Sequence, residues 1–121
     1  MWVLHPSVGF LSVVAKPWDR PNGTMTIRAR VHDDLVRFKA FLPSMGPIIE
    51  SQDSDYRFRA VADRDAVMAA MAKLAADIDY DNFKNEVAAR QGYDRAAIYG
   101  DVWQVLYRLQ RGHRSNPLFP D

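Results

Sequence analysis

Two stretches of the chain, Thr26–Val31 and Asp55–Val61, alternate between apolar and basic side chains. Because successive side chains of a β-strand point to opposite faces, this alternation predicts two half-buried strands, each with one basic face. The apolar positions, which we expect to point at packed helices, are Ile27, Ala29, Val31, Tyr56, Phe58 and Ala60. The basic positions, which we expect on the opposite face, are Arg28, Arg30, Arg57 and Arg59.

The rest of the hydrophobic pattern predicts further strands and several helices. Apolar residues at steps of three and four are typical of one helix face, and Gly, Pro and Asn clusters such as Pro17–Gly23 are typical of loops. The further strands are predicted at Trp2–Leu4 on an edge, at Phe10–Lys16 and at Ile48–Ile49. The helices are predicted after Asp33, from Asp63 to Ile78, before Gly92 and over Tyr93–Gln110.

The order of the main elements is strand, strand, helix, strand, strand, helix, followed by further helices. This order corresponds to a ferredoxin-like domain whose last strand has moved to the front of the chain. We therefore expect an α+β fold, in which a four-stranded, mainly antiparallel sheet carries helices on one face. Thr26–Val31 and Tyr56–Val61 would be its central, parallel neighbours, and a hairpin-rich α+β fold with another strand order is the alternative. Residues 1–111 are expected to form one domain and residues 112–121 an irregular tail.

The charge balance of the chain makes the four arginines notable. The formal net charge of the 121 residues is +1, from 16 Lys and Arg against 15 Asp and Glu, so a basic surface requires local segregation of charge. Like charges on neighbouring strands destabilise a sheet by up to about 1 kcal/mol per pair. Either acids of the chain pair with the arginines, or an acidic protein surface or a nucleic acid does. The candidate acids are Asp53, Asp55 and Asp63 beside the fourth predicted strand, and Asp77, Asp79, Asp81 and Glu86 after the second predicted helix.

Several classes of function have no support in the sequence. Cysteine is absent, which excludes disulfides and thiolate nucleophiles and fits a cytoplasmic location. The apolar run Val8–Ala15 is too short to span a membrane and lacks the flanks of a signal peptide. The alternation of Asp77, Asp79 and Asp81 resembles the start of a calcium loop, but Ala88 stands where the loop needs a bidentate Glu. No phosphate-binding glycine loop or nucleophile motif is present, so we expect no cofactor or metal.

Two alternatives to a simple binding surface remain open. Asp79, Tyr80, Asp81 and Lys84 could form an acid–base set in an enzyme if burial tunes their acidity. On the last helix, an aromatic stripe lies beside an apolar one, so that this helix is either packed between its neighbours or forms a homodimer or partner surface. The aromatic stripe consists of Tyr99, Trp103 and Tyr107.

Six segments are distinctive in combination: Trp2, Gly9–Val14, Ile27–Arg30, Asp55–Ala60, Ile78–Lys84 and Val102–Trp103. Together they resemble a group of small uncharacterised bacterial and phage proteins. The resemblance covers nearly the whole chain except the tail, and Ile78–Lys84 is its most distinctive part. It implies no particular activity, although association with phages implies by analogy an inhibitor or accessory protein.

The sequence therefore favours a small, non-catalytic binding or accessory protein with a basic sheet face. Its expected partner is an acidic protein surface or a nucleic acid. The main candidate contacts are Arg28, Arg30, Arg57 and Arg59, and the further candidates are Asp79, Tyr80, Asp81, Lys84 and Trp103.

Overall fold

A computed structural model describes residues 1–111 of the chain, and the expected tail over 112–121 lies outside the described residues. The chain divides into two compact units, Met1–Tyr80 and a second one that begins at Asp81. Whether the two form the expected single domain stays a prediction. The first unit contains β1 (Trp2–His5), β2 (Gly9–Val14), α1 (Asp19–Asn22), β3 (Thr24–Ala29), α2 (His32–Phe38), β4 (Ile49–Glu50), β5 (Phe58–Asp63) and α3 (Arg64–Ala76). The second contains α4 (Phe83–Gln91), α5 (Tyr93–Leu106) and α6 (Arg108–Arg111).

The first unit is built on one antiparallel sheet of five strands in the order β1-β2-β3-β5-β4. The α+β class is confirmed, but the sheet has five strands where four were expected, because Trp2–His5 pairs fully with β2. The expected parallel pairing of β3 with β5 is wrong, since Ala29 lies opposite Phe58 in an antiparallel register. The hairpin of β4 and β5 explains this direction. The chain reverses between β4 and β5, so β5 is antiparallel to β4. It is also antiparallel to β3, its neighbour on the other side.

Helices α2 and α3 cover one face of the sheet. Ile27 and Ala29 of β3 are fully buried there, as the alternation along this strand predicts. They pack in one hydrophobic cluster with α2 and α3, and burying each large apolar side chain contributes about 1.5–3 kcal/mol. The helix residues of the cluster are Leu35, Phe38, Val67, Ala70 and Leu74.

Two apolar side chains that were expected to face the core are exposed instead. Val31 is 41% exposed because β3 ends at Ala29 and the chain turns there into α2. Ile78 is 53% exposed because α3 ends at Ala76, two residues before the predicted end of this helix. Within residues 1–111, none of the helices combines the length and apolar character needed to cross a membrane.

A buried carboxylate fixes the start of β2. Asp34, in the first turn of α2, is buried and accepts a hydrogen bond of 2.9 Å from the backbone N–H of Phe10. The guanidinium of Arg37 donates to the same carboxylate. Gly9 has a φ of 122°, and a Cβ at this position would lie 2.4 Å from the Asp34 carboxyl group. Only glycine therefore fits here, and Phe10 is held in a defined position.

A second buried carboxylate, that of Asp19, anchors the connection between β2 and β3. It accepts hydrogen bonds from the Lys16 backbone N–H (2.7 Å) and from the hydroxyls of Thr24 (2.6 Å) and Thr26 (2.9 Å). Burial by itself raises the pKa of Asp19, but these three donors together hold it below its ordinary value. The Thr26 hydroxyl also accepts a hydrogen bond of 3.2 Å from Trp18 Nε1, so the network fixes the Trp18 ring.

The second unit is a small helical assembly with few buried side chains. The Asn82 side chain caps α4 by accepting from the Asn85 N–H at 2.9 Å, and α4 ends before Gly92 as the sequence predicts. Val87 and Tyr99 are buried, and the Tyr99 ring stacks on Phe83 with centroids 5.8 Å apart.

Candidate anion-binding surface

The sheet face opposite α2 and α3 carries a row of side chains that crosses all five strands. Residues directly opposite each other on paired strands share a face of the sheet. The four pairings of the sheet therefore align one residue from each strand, in the spatial order Trp2, Ser12, Arg28, Arg59 and Ile49. The two arginines at the centre of this row are direct cross-strand neighbours.

Tyr56 lies on this same face, which corrects the expectation that it points at the helices. Because β5 begins only at Phe58, the alternation does not extend back to Tyr56. Its ring is buried and lies 4.4 Å from the Arg28 guanidinium carbon and 4.8 Å from that of Arg30. These are cation–π distances, so one tyrosine supports two positive charges.

Aromatic rings extend the surface toward β1. Phe10 lies 6.2 Å from Tyr56 and 5.5 Å from Trp2, and it meets the Trp2 ring at 84°. The Trp2 side chain is 65% exposed. We call these residues together the arginine surface: Trp2, Phe10, Arg28, Arg30, Tyr56 and Arg59.

The hydrogen bonds of the two central arginines go to neutral oxygens. Arg28 donates from Nη2 to the Ser12 hydroxyl at 2.7 Å, and Arg59 donates from Nη2 to the Ser54 hydroxyl at 2.5 Å. Neither guanidinium has a carboxylate within 4.0 Å among residues 1–111. Both Nε atoms are buried, and within that part of the chain they have no hydrogen-bond acceptor. A buried donor without a partner costs about 1–3 kcal/mol.

The loop between β4 and β5 folds over the surface and supplies backbone oxygens to it. Arg30 donates from Nε to the Asp55 carbonyl at 3.2 Å, and Arg59 reaches the Tyr56 carbonyl at 3.4 Å. Asp53 and Asp55 were the expected internal partners of the arginines. In the described part of the chain, their carboxylates form no ion pair with Arg28, Arg30 or Arg59.

Arg57 differs from the other three arginines. Its guanidinium pairs with Glu50 on the adjacent strand, at 2.8 Å from both Nε and Nη2. Asp63, the third expected partner, lies at the far end of β5 opposite Thr24. Internal pairing therefore accounts for one of the four arginines that alternate along the two strands. Three positive charges remain without a carboxylate in residues 1–111.

The acid–base candidates are divided between the two units. Asp79 and Tyr80 end the first unit, whereas Asp81 and Lys84 belong to the second. The Lys84 ammonium lies 5.8 Å from the Trp103 ring centroid, and Trp103 is 53% exposed. Residues 1–111 contain no group of three His, Asp or Glu side chains that could hold a metal ion. The enzyme alternative and the homodimer through α5 both stay predictions.

The hydrophobic pattern left the side of Phe10 open and did not place Trp2, Ser12 or Ser54 on this face of the sheet. The parity of Phe10 was ambiguous, since Phe10–Lys16 is apolar on both faces. Trp2 joins the row only through the β1–β2 register, and Ser54 only through the path of a loop. A short apolar edge segment carries no sign of its register, so no sequence signal could have assigned them.

Comparisons of the chain with protein-family models, with curated proteins and with solved structures gave no significant match. The resemblance to small bacterial and phage proteins accordingly stays a hypothesis.

Proposed function

We propose that this protein is a non-catalytic binding protein whose arginine surface engages an acidic macromolecule, either a protein surface or a nucleic acid. The observation that carries the proposal is the absence of a carboxylate partner for Arg28, Arg30 and Arg59 among residues 1–111. In a chain with 15 Asp and Glu, such a cluster does not follow from a shortage of acids.

The physical argument rests on the cost of the arrangement. Arg28 and Arg59 are directly opposite on paired strands, where like charges are unfavourable by up to about 1 kcal/mol. Each also buries an Nε without an acceptor in the described residues. Tyr56 and two hydroxyls position the guanidiniums but do not neutralise them. An anionic partner would offset the repulsion, and its charge-assisted hydrogen bonds are stronger than those to neutral oxygens.

The finer fold assignment belongs to the same proposal. We infer a circularly permuted ferredoxin-like arrangement for strands β2 to β5. The spatial order β2-β3-β5-β4, together with α2 and α3 on one face, supports it. In that arrangement the face opposite the helices is the natural open surface of the domain.

The test compares two double variants with the same change in net charge. Arg28→Glu with Arg59→Glu reverses the central pair, whereas Arg57→Glu with Arg64→Glu reverses two exposed arginines outside the arginine surface. Fluorescence anisotropy would follow binding to a fluorescein-labelled thymidine decamer and to a fluorescein-labelled glutamate decamer. We expect wild-type protein to bind one of these probes, the first variant to lose at least tenfold in affinity, and the second to lose less than about threefold.

Circular dichroism provides the folding control for both double variants. Equal losses in the two variants would show that only overall charge matters, and the arginine surface would then have no special role. Lack of binding by the wild type to both probes would also overturn the proposal.

A further inference from the structure

We propose that the acidic macromolecule is a single-stranded nucleic acid, with a phosphate held between Arg28 and Arg59 and a base stacked on Trp2. This inference rests on the proposed function and deepens it. It draws on the exposed tryptophan that shares a row with the two arginines. Charge alone does not distinguish a nucleic acid from an acidic protein, but an aromatic ring beside the charge does.

The spacing along the row suits neighbouring groups of one extended strand. Paired strands lie about 4.8 Å apart, so Trp2 is about 10 Å from Arg28 and about 14 Å from Arg59 across the sheet. In an extended single strand, a base and the phosphates that flank it can span these distances. The guanidinium pair at the centre offers donors from two strands, and a phosphate has enough oxygens to accept from both.

Only some of the aromatic rings are available to stack on a base. Tyr56 is 4% exposed and lies against two guanidiniums, so it positions Arg28 and Arg30 and offers no open face. Trp2 is 65% exposed and meets Phe10 at a steep angle. Trp18 is 48% exposed and is fixed at Thr26, two residues along β3 from Arg28. Two tryptophans therefore flank the charged centre on different sides.

This combination matches how proteins bind single strands without reading their sequence. Cationic side chains follow the backbone, and aromatic rings stack on bases that a duplex would keep covered. The carboxylates of an acidic peptide would pair with the arginines, but they would not stack on the exposed tryptophan in the same row. The geometry thus favours a nucleic acid over a protein partner.

The experiment uses three probes that separate charge from stacking. They are the thymidine decamer, an abasic decamer with the same phosphate backbone, and the glutamate decamer. We expect the thymidine decamer to bind about 5- to 150-fold more tightly than the abasic one, which corresponds to one stacked base. Trp2→Ala should abolish this difference. Tyr93→Ala, which removes an exposed aromatic ring from the second unit, should leave it unchanged.

The salt dependence gives a second readout. Neutralising two or three phosphates of a single strand predicts a slope of log K against log salt of about −1.4 to −2.1. Arg59→Gln should make the slope shallower by about 0.7, and Arg57→Gln should not change it.

The outcomes distinguish this inference from the proposed function. Equal affinity for the thymidine and abasic decamers would overturn the stacking on Trp2, and with it the inference. Arginine-dependent binding of the glutamate decamer alone would identify an acidic protein partner, so the inference would fail while the proposed function stood. Binding of none of the three probes would overturn both.

Discussion

Ile27 and Arg28 are neighbours on β3 but point to opposite faces of the same sheet. Ile27 is fully buried against α2 and α3, in a cluster of apolar side chains. Arg28 lies on the other face, where rings, hydroxyls and guanidiniums contact one another without a single carboxylate partner for Arg28 in residues 1–111. The first face stabilises the fold by removing apolar surface from water. The second holds positively charged guanidiniums close together, which is energetically unfavourable.

Folding alone explains the first face, whereas the second has features that the proposed partner would explain. Apolar packing alone explains the helix-covered face, and every large side chain in it has neighbours of matching chemistry. The arginine surface leaves two buried Nε donors without an acceptor in the described residues, whereas Arg57, one residue before β5, is paired with Glu50. Violations of local rules of this kind are expected where function requires them.

The largest expected effect comes from the helix-covered face. Ile27→Ala should lower the free energy of unfolding by about 2–5 kcal/mol, because it removes buried methyl groups and leaves a cavity. Arg28→Gln should change it by less than about 1 kcal/mol, since the side chain is partly exposed and its removal relieves repulsion. Urea unfolding of both variants measures the contrast. A loss of several kcal/mol in Arg28→Gln would instead assign the arginine a structural role.

An intermediate effect is expected at Asp19, the buried acid beneath Trp18. Asp19→Asn should cost about 1–3 kcal/mol at neutral pH, because an amide cannot accept from all three donors. The folded-state pKa lies below its ordinary value of 3.8, so the ionised form stabilises the fold above that pH. This contribution is lost as pH falls through the lowered pKa.

Unfolding curves measured from neutral pH down into the acid range would check this sign. The difference between wild type and Asp19→Asn should be largest near neutral pH and should shrink below the ordinary value. Asp53→Asn, which makes the same change at an exposed position outside this network, serves as the matched control. A difference that grew toward acid pH would contradict the account.

Much of the helix-covered face could be predicted from sequence, because buried apolar residues recur at the period of their strand or helix. Ile27 and Ala29 alternate as a half-buried strand must, and Val67 and Leu74 repeat at helical spacing. The errors occurred at ends of elements, as at Ile78, where no residue type marks the last turn of α3.

The arginine surface was predictable only in part. Alternation placed Arg28 and Arg59 on the basic faces of their strands, and the predicted strand order made these strands neighbours. The structure brings the two arginines together. The pairing of Arg57 with Glu50 was not predictable, because it depends on the register of β4. The position of Tyr56 was not predictable either, because Tyr56 lies in the loop before β5. Pairwise contacts between distant segments are not encoded in local periodicity.

Under the proposed function, Arg59 serves a partner and not the fold. Arg59→Met retains the apolar stem of the side chain and removes its charge. Arg57→Met makes the same change at the arginine that forms an ion pair with Glu50. Parallel measurements would record the free energy of unfolding and the affinity for the thymidine decamer. We predict that Arg59→Met changes the free energy of unfolding by less than about 1 kcal/mol but loses most of the affinity for the decamer. Arg57→Met should retain this affinity and lose at most about 1 kcal/mol of unfolding free energy, because its ion pair is exposed. A loss of more than about 2 kcal/mol in Arg59→Met with undiminished affinity would show that this arginine merely holds the β4–β5 loop.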